Sequence, residues 1–560
     1  MALKVSKLTE NLFPVLRQVR IDYPGAFRGD LMAAITVTVM LVPQAMAYAM
    51  LAGVPPVIGL YAATIPVAVY ALIGTSRQMA VGPIAMVSLL VFTGVSHLAE
   101  PGTDQYLRMV LTLALMAGFA QLLLGIFRAG WIVNYVSRAV LGGFTSAAAI
   151  VIAVSQMSHI VGFQVTRHGN VFNQLLDIAV NRNAVNMPTL YLGIVAIIVL
   201  VLLKKLLPKL PGPLLVVIIS TVSAWHFGLG ELGVELTGDV PEGLPGFTIP
   251  DCHWETIKAL VPMALTITFI SFMESYAVAQ SIATREKQII NPDREFAALG
   301  LADIAAGLFS GCPVAGGLGR TAVNYAAGAR TSLAGLMTAG FMTMTLLFLT
   351  PLFYYLPRAV LAAIIISVVS NLFEFKELMH LLRVKVGDGM TFIITFLSTL
   401  ILGIESGIIV GVLLSLVLFI RRSANPNMVE LGYCPDRNAY MNVHRFPMVE
   451  RYPHVLIIRV DASLYFANAG FVEKRTRKWI EERHDINLVI FDCEGVNDMD
   501  AVAVRMLENL VDDYDSRNID FSFARLKGPV RDILTRAGWS ARSPNSIRFR
   551  SVRQVIAELG

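Results

Sequence analysis

Apolar stretches long enough to cross a bilayer recur along the sequence up to about residue 420. In lipid every backbone N–H and C=O must find its partner within the protein, so such a chain is confined to helices or a closed barrel. A helical span takes ~20 apolar residues. Segments of this kind lie near 30–52, 57–74, 106–127, 133–160, 188–207, 212–228, 258–282, 333–356, 357–372, 388–404 and 405–420. Three shorter ones, near 82–97, 295–310 and 320–329, are interrupted by Gly and Pro. The expectation is an α-helical polytopic membrane protein with about fourteen spans. Composition agrees: 55% of the residues are hydrophobic and 15% charged, against roughly 25% charged in a soluble domain.

Charge placement gives the orientation. With the N-terminus inside, the inner loops carry most of the Lys and Arg, from Arg77 through Arg285 and Arg330 to Arg422. The loop 226–256 falls outside and holds acids but no Lys or Arg, as the positive-inside rule expects. Residues 1–25 begin as an amphipathic run without a small-residue cleavage site, and read as a cytoplasmic segment before the first span. Both termini are therefore expected in the cytoplasm, in a multi-pass protein of the cell membrane with lipid around it.

Several function classes drop out. The formal charge of +5 is small for 560 residues, and no basic run is interleaved with aromatics, so nucleic acid is not an expected partner. The four cysteines, Cys252, Cys312, Cys434 and Cys493, lack metal-ligand spacing, and no metal or cofactor is expected. A phosphate-cradling GxxxxGKS/T loop is missing, which argues against an ATP-driven pump. With no HExxH, GxSxG or Cys/His cluster, an enzyme is not expected either.

After Arg422 the pattern changes. Residues 423–453 read as a linker. VLIIRV (455–460), NLVIFDCEGV (487–496), IDFSFARL (519–526) and SIRFRSV (546–552) read as strands alternating with helical runs, a small cytoplasmic α/β domain over 454–560.

Inside the apolar region, VPQAMAYAMLAGVPPVIGLY (42–61) places three prolines, two glycines and a glutamine where a plain helix would be easier to build. Broken helices in lipid persist where the freed backbone lines a cavity or is covered by protein. Gln44 and Tyr48 are one helical turn apart and share a face. Two further breaks occur at Val81-Gly82-Pro83-Ile84 and at Gly319-Arg320-Thr321, which follows SGCPVAGGLG (310–319). One such break per half points to a midplane site, and facing helix N-termini suit a small anion. The alternative is that the glycines only permit tight helix packing. Glu274 and Arg320 are the ionisable groups set within spans, each costing ~2.5–3.5 kcal/mol at mid-membrane, so function or mutual pairing is the default explanation.

The first run, together with GTSRQMAVGPIAMVSLL (74–90), FMESYAVAQ (272–280) and GRTAVNYAAGARTSLAG (319–335), resembles the SulP family of sulfate permeases and related anion exchangers. The C-terminal part resembles the STAS domain that commonly follows that transporter. The resemblance implies a transmembrane domain over 26–422 in two inverted repeats of about seven spans, a core domain moving against a gate domain, and a homodimer. It also implies that Gln44, Tyr48, Ile84, Ala85, Gly319, Arg320 and Thr321 line the anion site. Glu274 matches an acidic position linked to proton or sodium coupling. Tyr48 has simple packing as its alternative role. At Gly319 many relatives carry Ser, so contact there relies on the backbone N–H. In VNDMDAVAVRML (496–507), Asp500 precedes Ala501 where bacterial anti-sigma antagonists carry a phosphorylatable Ser, so phosphoregulation does not carry over. The expected function is secondary active, proton-coupled transport of a small inorganic anion, with sulfate or bicarbonate favoured and chloride exchange as a variant. A passive anion channel, or a dicarboxylate or nucleobase carrier of the same fold, is the alternative.

Overall fold

The computed structural model describes residues 14–135, 137–163, 171–207, 210–250, 253–483, 485–542 and 550–559. The chain divides into two compact units, Met1–Leu413 and Leu414–Gly560. The first half of the helical unit comprises α1 (Pro14–Leu51), α2 (Pro56–Ala62), α3 (Ile65–Ile73), the two-residue strand β1 (Val81–Gly82), α4 (Ala85–Val95), α5 (Asp104–Ile126), α6 (Arg138–Ser155), α7 (Met157–Val161), α8 (Val171–Val180), α9 (Met187–Leu206) and α10 (Gly212–His226). The second half follows with α11 (Trp254–Glu286), α12 (Pro292–Leu308), β2 (Ala315–Gly316), α13 (Leu318–Ala326), α14 (Leu333–Phe348), α15 (Arg358–Val369), α16 (Phe375–Val384), α17 (Val386–Leu402) and α18 (Ile404–Ala424).

Among the described residues, eight of these helical segments are long and apolar enough to cross a membrane, and five further apolar helices are shorter. Their starts follow local chemistry. Pro56 and Pro292 open α2 and α12, where a missing N–H costs nothing. Asn291 caps α12 by accepting from Asp293 N at 3.0 Å and Arg294 N at 3.2 Å.

Pro43 lies within α1, and the first span ends at Ala52–Pro55, where Gly53 adopts φ +79°. The apolar part of α1 that is long enough to span begins at Gly25. Residues 1–13 lie outside the described ones, and from Pro14 onward the chain already belongs to α1.

The helices pack in two sets. One contains α1 to α5 with α11 to α14; the other contains α6, α7, α9, α10, α15 and α17, and α1 also touches α10 and α15. Small residues set the closest approaches. A Cβ at Gly118 of α5 would lie 2.7 Å from the carbonyl oxygen of Gly300 in α12, so these helices meet backbone to backbone. A Cβ at Gly59 would run into the carbonyl of Ala45, so α2 folds back tightly on α1 beside Gln44.

The second unit holds β3 (Met428–Cys434), β4 (Ala439–Asn442), β5 (Val455–Val460), α19 (Phe466–Glu482), β6 (Leu488–Asp492), α20 (Ala501–Ser516), β7 (Asp520–Ala524), α21 (Gly528–Arg536), α22 (Trp539–Arg542) and α23 (Val552–Leu559). The sheet order is β4-β3-β5-β6-β7. β5, β6 and β7 are parallel, in register Val455↔Leu488 and Leu488↔Asp520, while β3 is antiparallel to β4 and β5. Strand residues alternate between two cores, as a period of two requires. Leu456, Ile458, Phe491 and Phe523 pack with Val472, Leu507 and Trp539; Ile457 and Ile490 pack with Val552 and Val555.

The expected linker 423–453 therefore contains two strands of this sheet. MVELGYC hides its alternation because the buried Glu430 is paired to Arg483 at 2.8 Å and Gly432 carries no side chain. Of the expected strand 546–552, residues up to 549 lie outside the described ones, and Val552 opens α23 instead. Asp500 caps α20, accepting from Ala503 N and from Phe466 N at 2.8 Å each, which ties two helix starts together.

Candidate functional site

The two interrupted segments meet. β1 and β2 pair antiparallel, Val81 opposite Gly316 and Gly82 opposite Ala315. Each strand leads within two residues into a helix, β1 into α4 and β2 into α13. Neither helix has a side-chain cap at its N-terminus. The first N–H groups of an α-helix have no intrahelical partner, so both starts keep donors for another group.

Side chains brace this pair. Gly317 N donates to Ala80 O at 3.1 Å, and Ala80 N donates to Thr321 Oγ1 at 3.0 Å. Gly316 N donates to Ser275 Oγ of α11 at 2.7 Å, and Val314 N to Asp303 Oδ1 of α12 at 2.7 Å. Asn324 Nδ2 reaches Gln78 O at 2.8 Å. A Cβ at Gly316 would lie 2.5 Å from Met79 Sδ, so the Met79 side chain would have to shift to admit one.

Arg320 joins the halves. It lies in the first turn of α13, is 3% exposed, and donates from Nη1 to Pro83 O, between β1 and α4, at 2.7 Å. Its Nε and Nη2 are buried and have no hydrogen-bond partner. Leaving a buried donor unsatisfied costs ~1–3 kcal/mol, and more for a charged group, so these donors favour an acceptor beside them.

Of the sequence-predicted residues, Tyr48 and Glu274 lie near it, and Ile84 follows the Pro83 carbonyl that it binds. Gln44 and Tyr48, both on α1, are buried at 5% and 4% exposure, and neither side chain makes a hydrogen bond to protein among the described residues. Glu274 on α11 is half-buried. Tyr48, Glu274 and Arg320 are close enough for their charges to act on one another. No Glu274–Arg320 salt bridge forms, so mutual pairing does not account for the two charges. Ile84 and Ala85 form the start of α4 and are buried. Gly319 is exposed with open space where a Cβ would stand. Thr321 is fully buried with its oxygen engaged by Ala80, which makes it a brace of the strand pair.

Sequence reasoning missed Ser275, Asp303 and the Pro83 carbonyl. It also named Glu274 and Arg320 as the ionisable groups within the spans, whereas Asp30, Glu295 and Asp303 are all fully buried. Asp303 was visible as an acid inside an apolar helix; the Pro83 carbonyl had no sequence signal. Around the strand pair these groups set one buried positive charge, two uncapped helix starts, a phenol and a carboxyl near one another. Donors of this kind are suited chemically to a small anion.

Residues 27–395 match the model of the sulfate permease family, and residues 446–550 match the STAS domain. The chloroplastic sulfate transporter 4.1 of Arabidopsis thaliana is 35% identical over 548 residues, covering 94% of this chain and 80% of the relative. A probable sulfate transporter of Mycobacterium tuberculosis is 32% identical over 512 residues, 91% of each chain. Among solved structures, the murine solute carrier 26 family member A9 anion transporter in its inward-facing state has a TM-score of 0.90 at 24% identity, covering 98% of this chain and 94% of that one. The transmembrane domain of the cyanobacterial bicarbonate transporter BicA has a TM-score of 0.61 at 22% identity, covering 70% of this chain and 96% of that one. These two share the fold.

Proposed function

Because the chain belongs to the sulfate permease family and ends in a STAS domain, we propose that it is a secondary active transporter of a small inorganic anion, with sulfate or bicarbonate as the cargo. The observation that carries this reading is the buried Arg320 guanidinium, whose Nε and Nη2 face no protein acceptor where two uncapped helix starts converge. A tetrahedral or planar oxyanion fills those donors. Gln44 supplies amide donors and Tyr48 a hydroxyl from the opposite wall.

In this reading the spans are α1, α2 with α3, β1 with α4, α5, α6 with α7, α9 and α10, then α11, α12, β2 with α13, α14, α15, α17 and α18. The strand-led element is third in each half, which is the placement an inverted repeat gives. The set that carries the cradle (α1 to α5 with α11 to α14) then moves as the core against the remaining helices as the gate. Both termini are cytoplasmic and the protein works as a homodimer. Glu274 is the coupling residue: when it takes a proton, a negative charge beside the incoming anion is removed. The STAS domain supports assembly, since Ala501 offers no hydroxyl for phosphorylation.

The test is uptake into proteoliposomes of sulfate, bicarbonate, chloride, fumarate and uracil. Saturation and counterflow with an inorganic oxyanion support the proposal. Single-channel currents, or uptake of only fumarate or uracil, would replace it with the channel or organic-carrier reading.

A further inference from the structure

A second polar cavity lies at the far end of α13 from Arg320. Tyr325 is five residues along that helix, ~7–8 Å by helical rise, and it faces a cavity of about 480 Å³ lined by Arg77, Gln78, Glu286, Gln288, Tyr325 and Arg330. Two loops make its walls. One, between α3 and β1, carries Arg77 and Gln78; the other, between α13 and α14, carries Arg330.

Both loops are pinned by fully buried carboxylates. Glu295 of α12 accepts from Thr75 N at 2.6 Å, Ser76 N at 3.1 Å and the Tyr70 hydroxyl at 2.7 Å. Asp30 of α1 accepts from Arg330 N at 2.7 Å, Thr331 N at 3.1 Å and the Thr331 hydroxyl. The wall that carries Gln78 is also tied to the segment between α11 and α12, where Gln288 Nε2 donates to Gln78 Oε1 at 3.1 Å. The Tyr325 hydroxyl donates to Glu286 Oε1 at 2.6 Å, which engages the acid of the lining. Among the described residues no carboxylate pairs with the Arg330 guanidinium. The exposed Arg285 and Lys287 flank Glu286 in the chain, so the surroundings are net positive.

We propose that this cavity is a second oxyanion site, separate from the Arg320 cradle, that takes a sulfate- or phosphate-type group between Arg77 and Arg330. Arginine forks fit tetrahedral oxyanions through paired N–H donors, and loops held by buried carboxylates fix the backbone from which those forks project, so that binding has only side chains to order. The cavity is far larger than one such ion. It therefore accommodates either a hydrated free ion or the phosphate of an anionic lipid headgroup, and the chemistry is the same for both. This inference goes beyond the transport reading and stands if the cradle's cargo proves to be something else.

The experiment uses the purified full-length protein. Inorganic sulfate is titrated calorimetrically into wild type, Arg330→Gln, Arg77→Gln and Arg320→Ala, each with a thermal melt. Because Arg330 is anchored by its backbone N–H, Arg330→Gln keeps the loop in place, and Arg330→Lys tests charge without the fork. Two classes of sulfate site are expected in wild type. Arg330→Gln and Arg77→Gln weaken one class by roughly tenfold to hundredfold, while Arg320→Ala acts on the other. If sulfate fills one class alone, loss of that class in Arg330→Gln and not in Arg320→Ala assigns it to this cavity; if Arg330→Gln leaves it intact, a melt raised in phosphatidylglycerol nanodiscs over phosphatidylcholine, and lost in Arg330→Gln, assigns the site to lipid phosphate. A protein with neither a sulfate class nor a lipid-dependent shift that Arg330→Gln weakens overturns the proposal. So does a second class, or a lipid shift, that persists in both Arg330→Gln and Arg77→Gln.

Discussion

At the scale of single residues, the proposed anion site predicts separable effects for Arg320 and Gln44. Arg320→Ala removes a charged donor set but leaves the helix starts, so anion affinity falls by ~1.5–3 kcal/mol, a roughly tenfold to hundredfold loss. Gln44→Ala removes neutral hydrogen bonds and costs ~0.5–1.5 kcal/mol. Binding to the two purified variants, with a melt beside each, checks this; equal affinity in wild type and Arg320→Ala would move the site elsewhere. Glu274→Gln fixes the neutral form, so it should lose stimulation by an inward proton gradient and keep anion exchange. Uptake at a series of imposed gradients reads this, and full retained pH dependence counts against the assignment. In the second unit, burial, with the charge of Asp492, pushes the Cys493 thiol well up. A raised thiol pKa means less thiolate at any given pH, and the thiolate is the nucleophile. Mass spectrometry after maleimide treatment at pH 7 should find Cys493 unmodified in folded protein and labelled after denaturation. Arg320 and Glu274 were legible because a charge amid apolar residues has few cheap explanations. Asp30 and Glu295 were not, since FRGD, just ahead of the first apolar stretch, and PDRE, at the start of α12, look like solvated charges, and only tertiary packing buries them.

At the scale of elements, the two carboxylate clamps are the joints of the core set. Asp30→Asn or Glu295→Gln deletes a charge that satisfies several loop N–H groups at once. Each substitution should lower stability by ~1.5–3 kcal/mol, since hydrogen bonds to a charged group are of that size. Thermal melts of the purified variants measure it, and an unchanged melt in both would mean water replaces the carboxylate at no cost. The apolar helices could be read from length and hydropathy, because lipid leaves few alternatives. β1 and β2 could not. Two residues carry no period, and the glycine run announces a break without saying what pairs with it. β3 was overlooked for a related reason, its alternation being spoiled by a buried Glu430 whose arginine partner lies far along the chain.

At the scale of the whole molecule, the chain is two compact units, and the transition occupies α18. The change of composition after Arg422 was plain in the sequence, but the sheet begins at Met428, earlier than strand periodicity alone revealed. This decides where a truncation should fall. Ending the chain after Ala424 should leave a folded helical unit with weakened transport, because no strand is cut. Ending it near residue 440 keeps β3 without β5 and exposes a free strand edge, which invites aggregation. Size-exclusion profiles of the two truncations compare them directly, and a collapsed profile for the shorter one would count against two independent cores. The pairing of Val81 with Gly316 has a consequence for synthesis. When the ribosome has delivered the first half to the membrane, the backbone around Gly82 has no partner, and none arrives until residue 316 has been translated. Polar backbone left bare in hydrocarbon costs several kcal/mol per group. The nascent first half must therefore wait, shielded by water or by the insertion machinery, and the cradle cannot form until the chain has been made past Arg320.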